Sequence, residues 1–456
     1  MSNERKKLSN LVKWSFVLPT LGQNLFIYLE LYYMSYFLTD ICQFPLSTVT
    51  FILTSTAAVD LVWVFVTGIV LEKCEFKKLG KYRAWYIIGT PIIIVFFTLM
   101  FTNVGNSATA AAIVIIAFCI KTLLQDIQSA AVTAQLSQLS DDQKERTTLS
   151  VTRNIGSVAG QFLFSFVGVA TITFFGNALN ATAMGYTMAA LIFTIVNGLC
   201  HIALYYITKD VPVAATEKKK DHLSVGQMFK VFAENPPLLI LSFGDLLRYT
   251  AYFLISSTAA YYFAAVLKDS GSMSIYLTAQ TAMGVVAALL VNFIINFIGK
   301  KATYVLSCLM YGGTAMLMYF IGGEGTTMIF IVVMSIGSFF NNCIRATITA
   351  MTADTVIYSM WKSGTNARGF IMSMTNIPIK FGSMIKSMIL PIGLSIIGYQ
   401  AGVDATPEVA QGIAVIMCLI AGGSVVIAGL INLFFYKLDE KKVEQMTEEI
   451  NARTRA

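Results

Sequence analysis

The sequence contains few charged residues for its length. Only 12% of its 456 residues are Asp, Glu, Lys or Arg, whereas 56% are hydrophobic. A soluble globular chain has about 25% charged and about 45–50% apolar residues. Too little polar surface remains to dissolve a chain of this size. The composition therefore excludes an ordinary soluble protein and predicts an integral membrane protein that is mostly helical.

Residues that support metal, disulfide or hydrolytic chemistry are also sparse. The seven cysteines include no Cys-x-x-Cys pair, and the histidines are His201 and His222. We therefore interpret the cysteines as packing residues and expect no metal site and no cofactor. No set of a nucleophile and a neighbouring base is visible, so we expect a protein that is not an enzyme.

What the sequence does contain is long apolar runs. A membrane-spanning helix needs about 20 mostly apolar residues. The runs predict an all-α membrane protein with twelve transmembrane helices, near residues 14–39, 46–71, 84–103, 108–137, 148–176, 182–207, 237–266, 273–299, 302–321, 327–357, 370–398 and 410–436.

Basic residues between these runs indicate the orientation of the chain. With the N-terminus inside, every Lys or Arg between spans falls on the inner side except Lys268. Positive residues stay on the cytoplasmic side during membrane insertion. The sequence therefore predicts that both termini are cytoplasmic. This asymmetry explains the net charge of +7 without a nucleic-acid partner, and the expected partners are membrane lipid and a small molecule.

The longest polar connection divides the spans six and six. We predict an N-terminal half at 1–208, a cytoplasmic linker at 209–235, a C-terminal half at 236–437 and a cytoplasmic tail at 438–456. The stretch "TAQLSQLS" at the end of the fourth span resembles "TAMTADT" at the end of the tenth. Six-helix repeats of this kind are typical of transporters whose halves rock around a central site.

Charged residues inside the spans are the candidates for function. They are Glu30, Asp60, Lys121, Asp126, Arg153, Asp245, Arg248, Arg345, Lys380 and Lys386. A charge at mid-depth costs about 2.5–3.5 kcal/mol on insertion scales, so these groups should face a wet cavity or one another. Basic residues outnumber acidic ones among them, which favours an anionic solute. Asp245 and Arg248 are three residues apart on one helix and can instead pair locally.

Three stretches resemble a single transporter family. They are "YFLTDICQF" through "LGKYRAWYIIGTP", then "QDIQSAAVTAQLSQLSDDQKERTTLSVTRNIGSVAG", and finally "TADTVIYSMWKSGTNARGFIMSMTNIPIKFGSM". Together they resemble the glycoside–pentoside–hexuronide:cation symporters, the melibiose-permease group of the major facilitator superfamily. The resemblance implies the major facilitator fold in a bacterial-type cytoplasmic membrane.

The resemblance also implies substrate-binding residues. Asp126 and Arg153 fall on the sugar-site aspartate and arginine of the family, and Lys380 falls on its lysine in the eleventh span. Asn24 stands where the family has a sugar-binding acid. Arg345, which comes from the middle of another span, is a further expected contact.

An inner-loop motif of the superfamily is present in altered form. The segment "GIVLEK" supplies Gly68, Glu72 and Lys73, and Arg83 follows in "GKYRAW". We expect these residues to act in gating and helix packing and not in substrate contact.

The coupling-ion site departs from the family pattern. The family has two acids spaced Asp-x-x-x-Asp, but here Asp60 is followed by Trp63 and Val64, and Leu123 replaces a frequent hydroxyl residue. Sodium prefers several oxygen ligands, so a single carboxylate is a poor sodium site. We therefore expect Asp60 to carry a proton in preference to Na⁺. The alternative is a fixed ion pair with Lys121 or Lys380.

The expected function is cation-coupled symport of a sugar, glycoside or uronide by alternating access. The substitutions at the sugar site and the basic excess favour an anionic solute. An uncoupled uniporter or exchanger is one alternative. A second is a non-transporting sensor built on a transporter fold, for which the reduced ion site is the main support.

Overall fold

The computed structural model describes residues 8–74, 76, 79–139, 142–211, 233–363, 371–372 and 375–455. It divides the chain into two compact units, residues 1–218 and 219–456. Most of the predicted linker and the inner loop at 364–370 lie outside the described residues. The described secondary structure is helical throughout, as the sequence predicts.

The first unit contains a short helix and six long helices. They are α1 (Asn10–Ser15), α2 (Val17–Tyr36), α3 (Leu46–Lys73), α4 (Ala84–Met100), α5 (Ala108–Leu139), α6 (Gln143–Ala178) and α7 (Thr182–Thr208). A π-helical turn, Phe37–Ile41, extends α2. Each long helix coincides with one predicted span. Helix α6 begins before its span because a helix does not have to end at the membrane boundary.

The second unit has the same number of spanning segments and an extra terminal helix. They are α8 (Pro236–Ala265), α9 (Met273–Ile298), α10 (Lys300–Ile321), α11 (Thr327–Ser363), α12 (Asn376–Ile396), α13 (Pro407–Ala414), α14 (Ala421–Phe435) and α15 (Glu440–Arg455). A π-helical segment, Val415–Ile420, joins α13 and α14 into one span. The start of α8 is set by Asn235, whose side chain accepts a hydrogen bond from the backbone N–H of Leu238 (3.2 Å), and by Pro236 in the first turn.

Ten of the described helical segments are long and apolar enough to cross a membrane. The two other predicted spans correspond to α2 and α4. Helix α4 is an apolar helix of only 17 residues, and α2 carries Gln23, Asn24 and Glu30 among its apolar residues. These polar residues lower the hydropathy of α2 at the position where the sequence places candidate substrate contacts.

The same packing pattern occurs within each unit. In the first, α2 packs against α6 and α7, α4 packs against α5 and α7, and α3 packs against α5. In the second, α8 packs against α12 and α14, α10 packs against α11 and α14, and α9 packs against α11. The helices that pack together occupy the same positions in the chain order of the two units, so the packing indicates an internal repeat. The weak similarity of "TAQLSQLS" and "TAMTADT" suggests the same repeat.

Candidate functional site

Two glycines bring α2 and α6 into close contact. A Cβ atom at Gly156 would collide with the Val17 carbonyl, and one at Gly160 would collide with the Leu21 carbonyl and lie 3.0 Å from Cβ of Asn24. Small residues spaced four apart allow membrane helices to approach closely. The sequence Gly156–Gly160 therefore sets the distance between the helices that carry Asn24 and Arg153.

Thr20 connects these two predicted substrate residues. Its hydroxyl donates to the backbone carbonyl of Arg153 (2.7 Å), and the Asn24 side-chain amide donates to the backbone carbonyl of Thr20 (2.6 Å). The side chains of Asn24 and Arg153 are both half-buried. The structure thus places Asn24 and the backbone of Arg153 at one helix interface, and the resemblance implies an acid in place of this amide.

Asp60 lies on α3, which packs against α5. One turn later on α3, Trp63 donates its indole N–H to the backbone carbonyl of Cys119 (2.9 Å), and Asp60 also interacts electrostatically with Cys119. Asp60 is half-buried, whereas the side chain of Val64 is 46% exposed. The position of the missing second acid is therefore apolar and uncovered within this unit.

Asp126 is half-buried on α5 and directly follows Gln125, whose side chain contacts Lys121. Lys121 Nζ lies 2.5 Å from Oε2 of Glu30 and 3.3 Å from Oε1 of Gln125. Lys121 is therefore the partner of Glu30, and a fixed pair of Asp60 with Lys121 or Lys380 stays a prediction. This pair joins α2 to α5.

In the second unit, the predicted contacts Lys380 and Arg345 lie on α12 and α11. Lys380 is half-buried and Arg345 is exposed. Asp245 on α8 interacts electrostatically with Arg345, although its direct partner is Arg248.

Asp245 and Arg248 form the local pair that their spacing predicts. Arg248 Nε donates to Oδ1 of Asp245 (2.7 Å), and Arg248 Nη1 donates to Oδ1 of Asn341 on α11 (3.2 Å). The guanidinium also lies 3.9 Å from the centroid of the Tyr249 ring. Because Asp245 and Arg248 are 4% and 0% exposed, the pair is part of the interior of the second unit.

The predicted gating residues lie near the ends of α3 and α4. Gly68 is exposed, and a Cβ atom there would meet no described atom within 4 Å, so close packing does not explain this glycine. Lys73 is exposed at the end of α3, and the side chain of Glu72 lies outside the described part of the structure.

Arg83 connects the start of α4 to the segment after α7. Its Nη1 and Nη2 donate to the backbone carbonyls of Lys209 and Val211, each at 2.8 Å. Partial burial lowers the pKa of the Arg83 guanidinium from its ordinary value, and nearby Asp210 acts in the opposite direction. Arg83 thus provides hydrogen-bond donors for two backbone carbonyls that lie beyond the end of α7.

Sequence reasoning missed two relationships. Glu30 and Lys121 stand out as buried charges, but no spacing rule pairs residues on different helices. The docking of the C-terminal tail was the second relationship missed. Trp361 Nε1 donates to Oε2 of Glu449 on α15 (2.6 Å). The apolar residues Val443 and Met446 in the tail, three apart and buried, are the signal that was available.

Comparisons with known proteins agree with this architecture. The model of the family "MFS/sugar transport protein" matches residues 15–440. A candidate sulfoquinovose importer of Escherichia coli K12 is 24% identical over 98% of this chain and 95% of its own. The isoprimeverose transporter of Lactiplantibacillus pentosus is 25% identical over 96% of this chain and 92% of its own.

A solved structure shows the same fold at low sequence identity. The nucleoside transporter NupG superposes with a TM-score of 0.66 and 14% identity, covering 94% of this chain and all of that one. Together with the family match, this confirms the expected all-α major facilitator fold and the expectation of a transporter in place of an enzyme. The chain is a multi-pass membrane protein that belongs to the MFS sugar transport family, as the resemblance to the glycoside–pentoside–hexuronide:cation symporters implies.

Proposed function

We propose that this transporter carries an acidic sugar in symport with a proton. The observation that carries the proposal is the α2–α6 interface, where Thr20 bonds the Arg153 backbone and the amide of Asn24 stands where the family has an acid. An amide in place of a carboxylate removes one negative charge from the helix that packs against the Arg153 helix. A planar guanidinium binds carboxylate or sulfonate-like groups through two parallel hydrogen bonds.

The proposed substrate contacts divide by chemistry. In the first unit, Arg153 attracts an anionic group and Asp126 accepts hydrogen bonds from sugar hydroxyls. In the second unit, Lys380 and Arg345 are the proposed cationic contacts. Asn24 donates to or accepts from a hydroxyl without adding charge. The name of the sulfoquinovose relative supports an acidic solute, whereas the isoprimeverose relative supports a neutral one, so the charge preference has to be measured.

Uptake into proteoliposomes tests the substrate class. The panel contains sulfoquinovose, a glucuronide and isoprimeverose. We expect uptake of an acidic member to exceed that of isoprimeverose by at least tenfold, the factor for about 1.4 kcal/mol. Arg153→Gln should remove this preference, whereas Arg146→Gln, a matched change seven residues earlier on α6, should keep it. A preference for isoprimeverose in the unsubstituted protein would overturn the acidic-sugar proposal, and absence of uptake and counterflow would favour the sensor alternative.

We propose Asp60 as the carboxylate that carries the coupling proton. Its neighbours Trp63 and Val64 and the α5 residue Leu123 offer no side-chain oxygen, which a sodium ion needs. Uptake should respond to an imposed proton gradient and be unaffected by a sodium gradient. Asp60→Asn should lower the response to the proton gradient. Stimulation by sodium that disappears in Asp60→Asn would instead assign sodium to this residue, and transport insensitive to both gradients would favour an uncoupled carrier.

We further propose that the protein lies in a bacterial cytoplasmic membrane with both termini in the cytoplasm. The exclusion of Lys and Arg from outer connections, except for Lys268, supports this orientation. Fusions of a fluorescent protein, which folds in the cytoplasm and not after export, to either terminus should fluoresce. A dark but stably produced fusion at one terminus would contradict the orientation.

A further inference from the structure

Glu30 and Lys121 form an ion pair whose two members differ in exposure. The pair links α2 to α5 at 2.5 Å. The side chain of Lys121 is 2% exposed, whereas that of Glu30 is 21% exposed. The carboxylate is therefore partly uncovered, while the ammonium group stays enclosed.

Lys121 has other partners that do not depend on the charge of Glu30. Its Nζ contacts Oε1 of Gln125 at 3.3 Å and lies 4.8 Å from the ring centroid of Phe118 and 5.5 Å from that of Phe97. Aromatic faces attract a cation by about 2 kcal/mol or more when the site is desolvated. These groups can hold the ammonium as a cation after its carboxylate is neutralised.

The pair is also connected through a neighbouring residue in the sequence to the predicted substrate residue Asp126. Gln125, the second polar contact of Lys121, directly precedes Asp126 on α5. The other charged or imidazole groups in the membrane-embedded parts of helices packed against α2 or α5, and on α5 itself, are Asp60, Asp126, Arg153 and His201. Among them, Asp126 directly follows Gln125, the residue that contacts Lys121.

We propose that Glu30 is a second proton-binding site, and that Lys121 transmits its protonation to Asp126. A proton from water adds to a carboxylate oxygen of Glu30 to give the neutral acid, and the ion pair breaks. Lys121 keeps its three protons and moves toward Gln125 and the two rings. Loss of the proton restores the pair. The proposal rests on the proposed sugar–proton symport and adds a coupling residue that the family resemblance does not identify.

The test separates net proton-driven uptake from exchange. Proteoliposomes with a clamped membrane potential receive a pH step of one unit, which drives about tenfold accumulation per coupled proton. The probe is sulfoquinovose, or the glucuronide if the panel selects it. Glu30→Gln should lower the accumulation ratio about tenfold, while counterflow, which needs no net proton transfer, stays within about twofold. The control Glu324→Gln neutralises an acid in another ion pair, with Lys268, and should leave both readouts unchanged.

The outcomes distinguish this inference from the proposed function. If the unsubstituted protein shows no proton-driven uptake, the symport proposal fails. If it does and Glu30→Gln accumulates solute equally well, Glu30 is not a coupling site. Should Glu30→Gln lose counterflow as well, Glu30→Asp is the second variant, because it keeps an acid at a changed distance from Lys121. A displaced pH profile of uptake in Glu30→Asp supports the inference, and an unchanged profile contradicts it.

Discussion

Lys300 Nζ lies 2.8 Å from Oδ2 and 2.9 Å from Oδ1 of Asp354, so one lysine joins the start of α10 to the later part of α11. The backbone N–H of the same lysine donates to Oε1 of Glu440 at the start of α15 (2.9 Å). In the first unit, Arg83 similarly joins the start of α4 to the segment after α7. In each unit, the start of the third spanning helix (α4 or α10) is thus bonded to the chain that follows the sixth spanning segment.

Replacement of Asp354 by Asn should destabilise the second unit. Lys300 would lose a charged acceptor in a partly buried position, at a cost of about 1–3 kcal/mol. The measurement is the midpoint of thermal unfolding in detergent. Lys301→Met, which removes the neighbouring lysine and leaves the pair intact, is the control. Equal midpoints for Asp354→Asn and the unsubstituted protein would show that the pair contributes little.

Gly160→Ala should weaken the packing of α2 on α6. The added methyl group would collide with the Leu21 carbonyl, and overpacking of this kind costs about 1–3 kcal/mol. Gly313→Ala on α10 is the matched control because its methyl group would meet no described atom within 4 Å. We expect a lower unfolding midpoint only for Gly160→Ala. Uptake should fall as well, because α2 and α6 carry Asn24 and Arg153.

Asp245→Asn should be among the most destabilising single substitutions in the second unit. It leaves the fully buried Arg248 without its carboxylate, and an uncompensated buried charge costs about 3–5 kcal/mol. Glu324→Gln is the comparison because it breaks an exposed pair with Lys268 (2.9 Å) and should not shift the unfolding midpoint measurably. Similar midpoints for the two variants would contradict a structural role for Asp245.

Met446→Asp should release α15 from the remainder of the second unit. Met446 is 3% exposed, and a carboxylate in its place would be buried among apolar groups. The readout is cleavage of the C-terminal tail by limited proteolysis, which should become faster. Gln445→Asp places the same charge on the adjacent exposed residue and should not change the rate. Equal rates for the two variants would indicate that burial of Met446 does not hold the tail.

The sequence predicts the fold well because membrane spans depend on local properties. Apolar length locates every spanning helix, and even the short α4 and the polar α2 lie within their predicted ranges. The pairing of Asp245 with Arg248 is predictable for the same reason, since residues three apart on one helix are neighbours. The partner of Lys121 is not, because Glu30 is distant in sequence and several acids compete for the same role.

The sequence by itself therefore determined the membrane class, the number of spans and the residue types available for binding, because these follow from composition and from the length of apolar runs. Only the tertiary structure decided which charges meet. It bonded Thr20 of α2 to the backbone of Arg153 on α6, paired Lys121 with Glu30, and brought Glu449 of the tail to Trp361. Helix packing fixed these choices, since the close approach at Gly156 and Gly160 and the rotation of each helix determine which side chains share an interface.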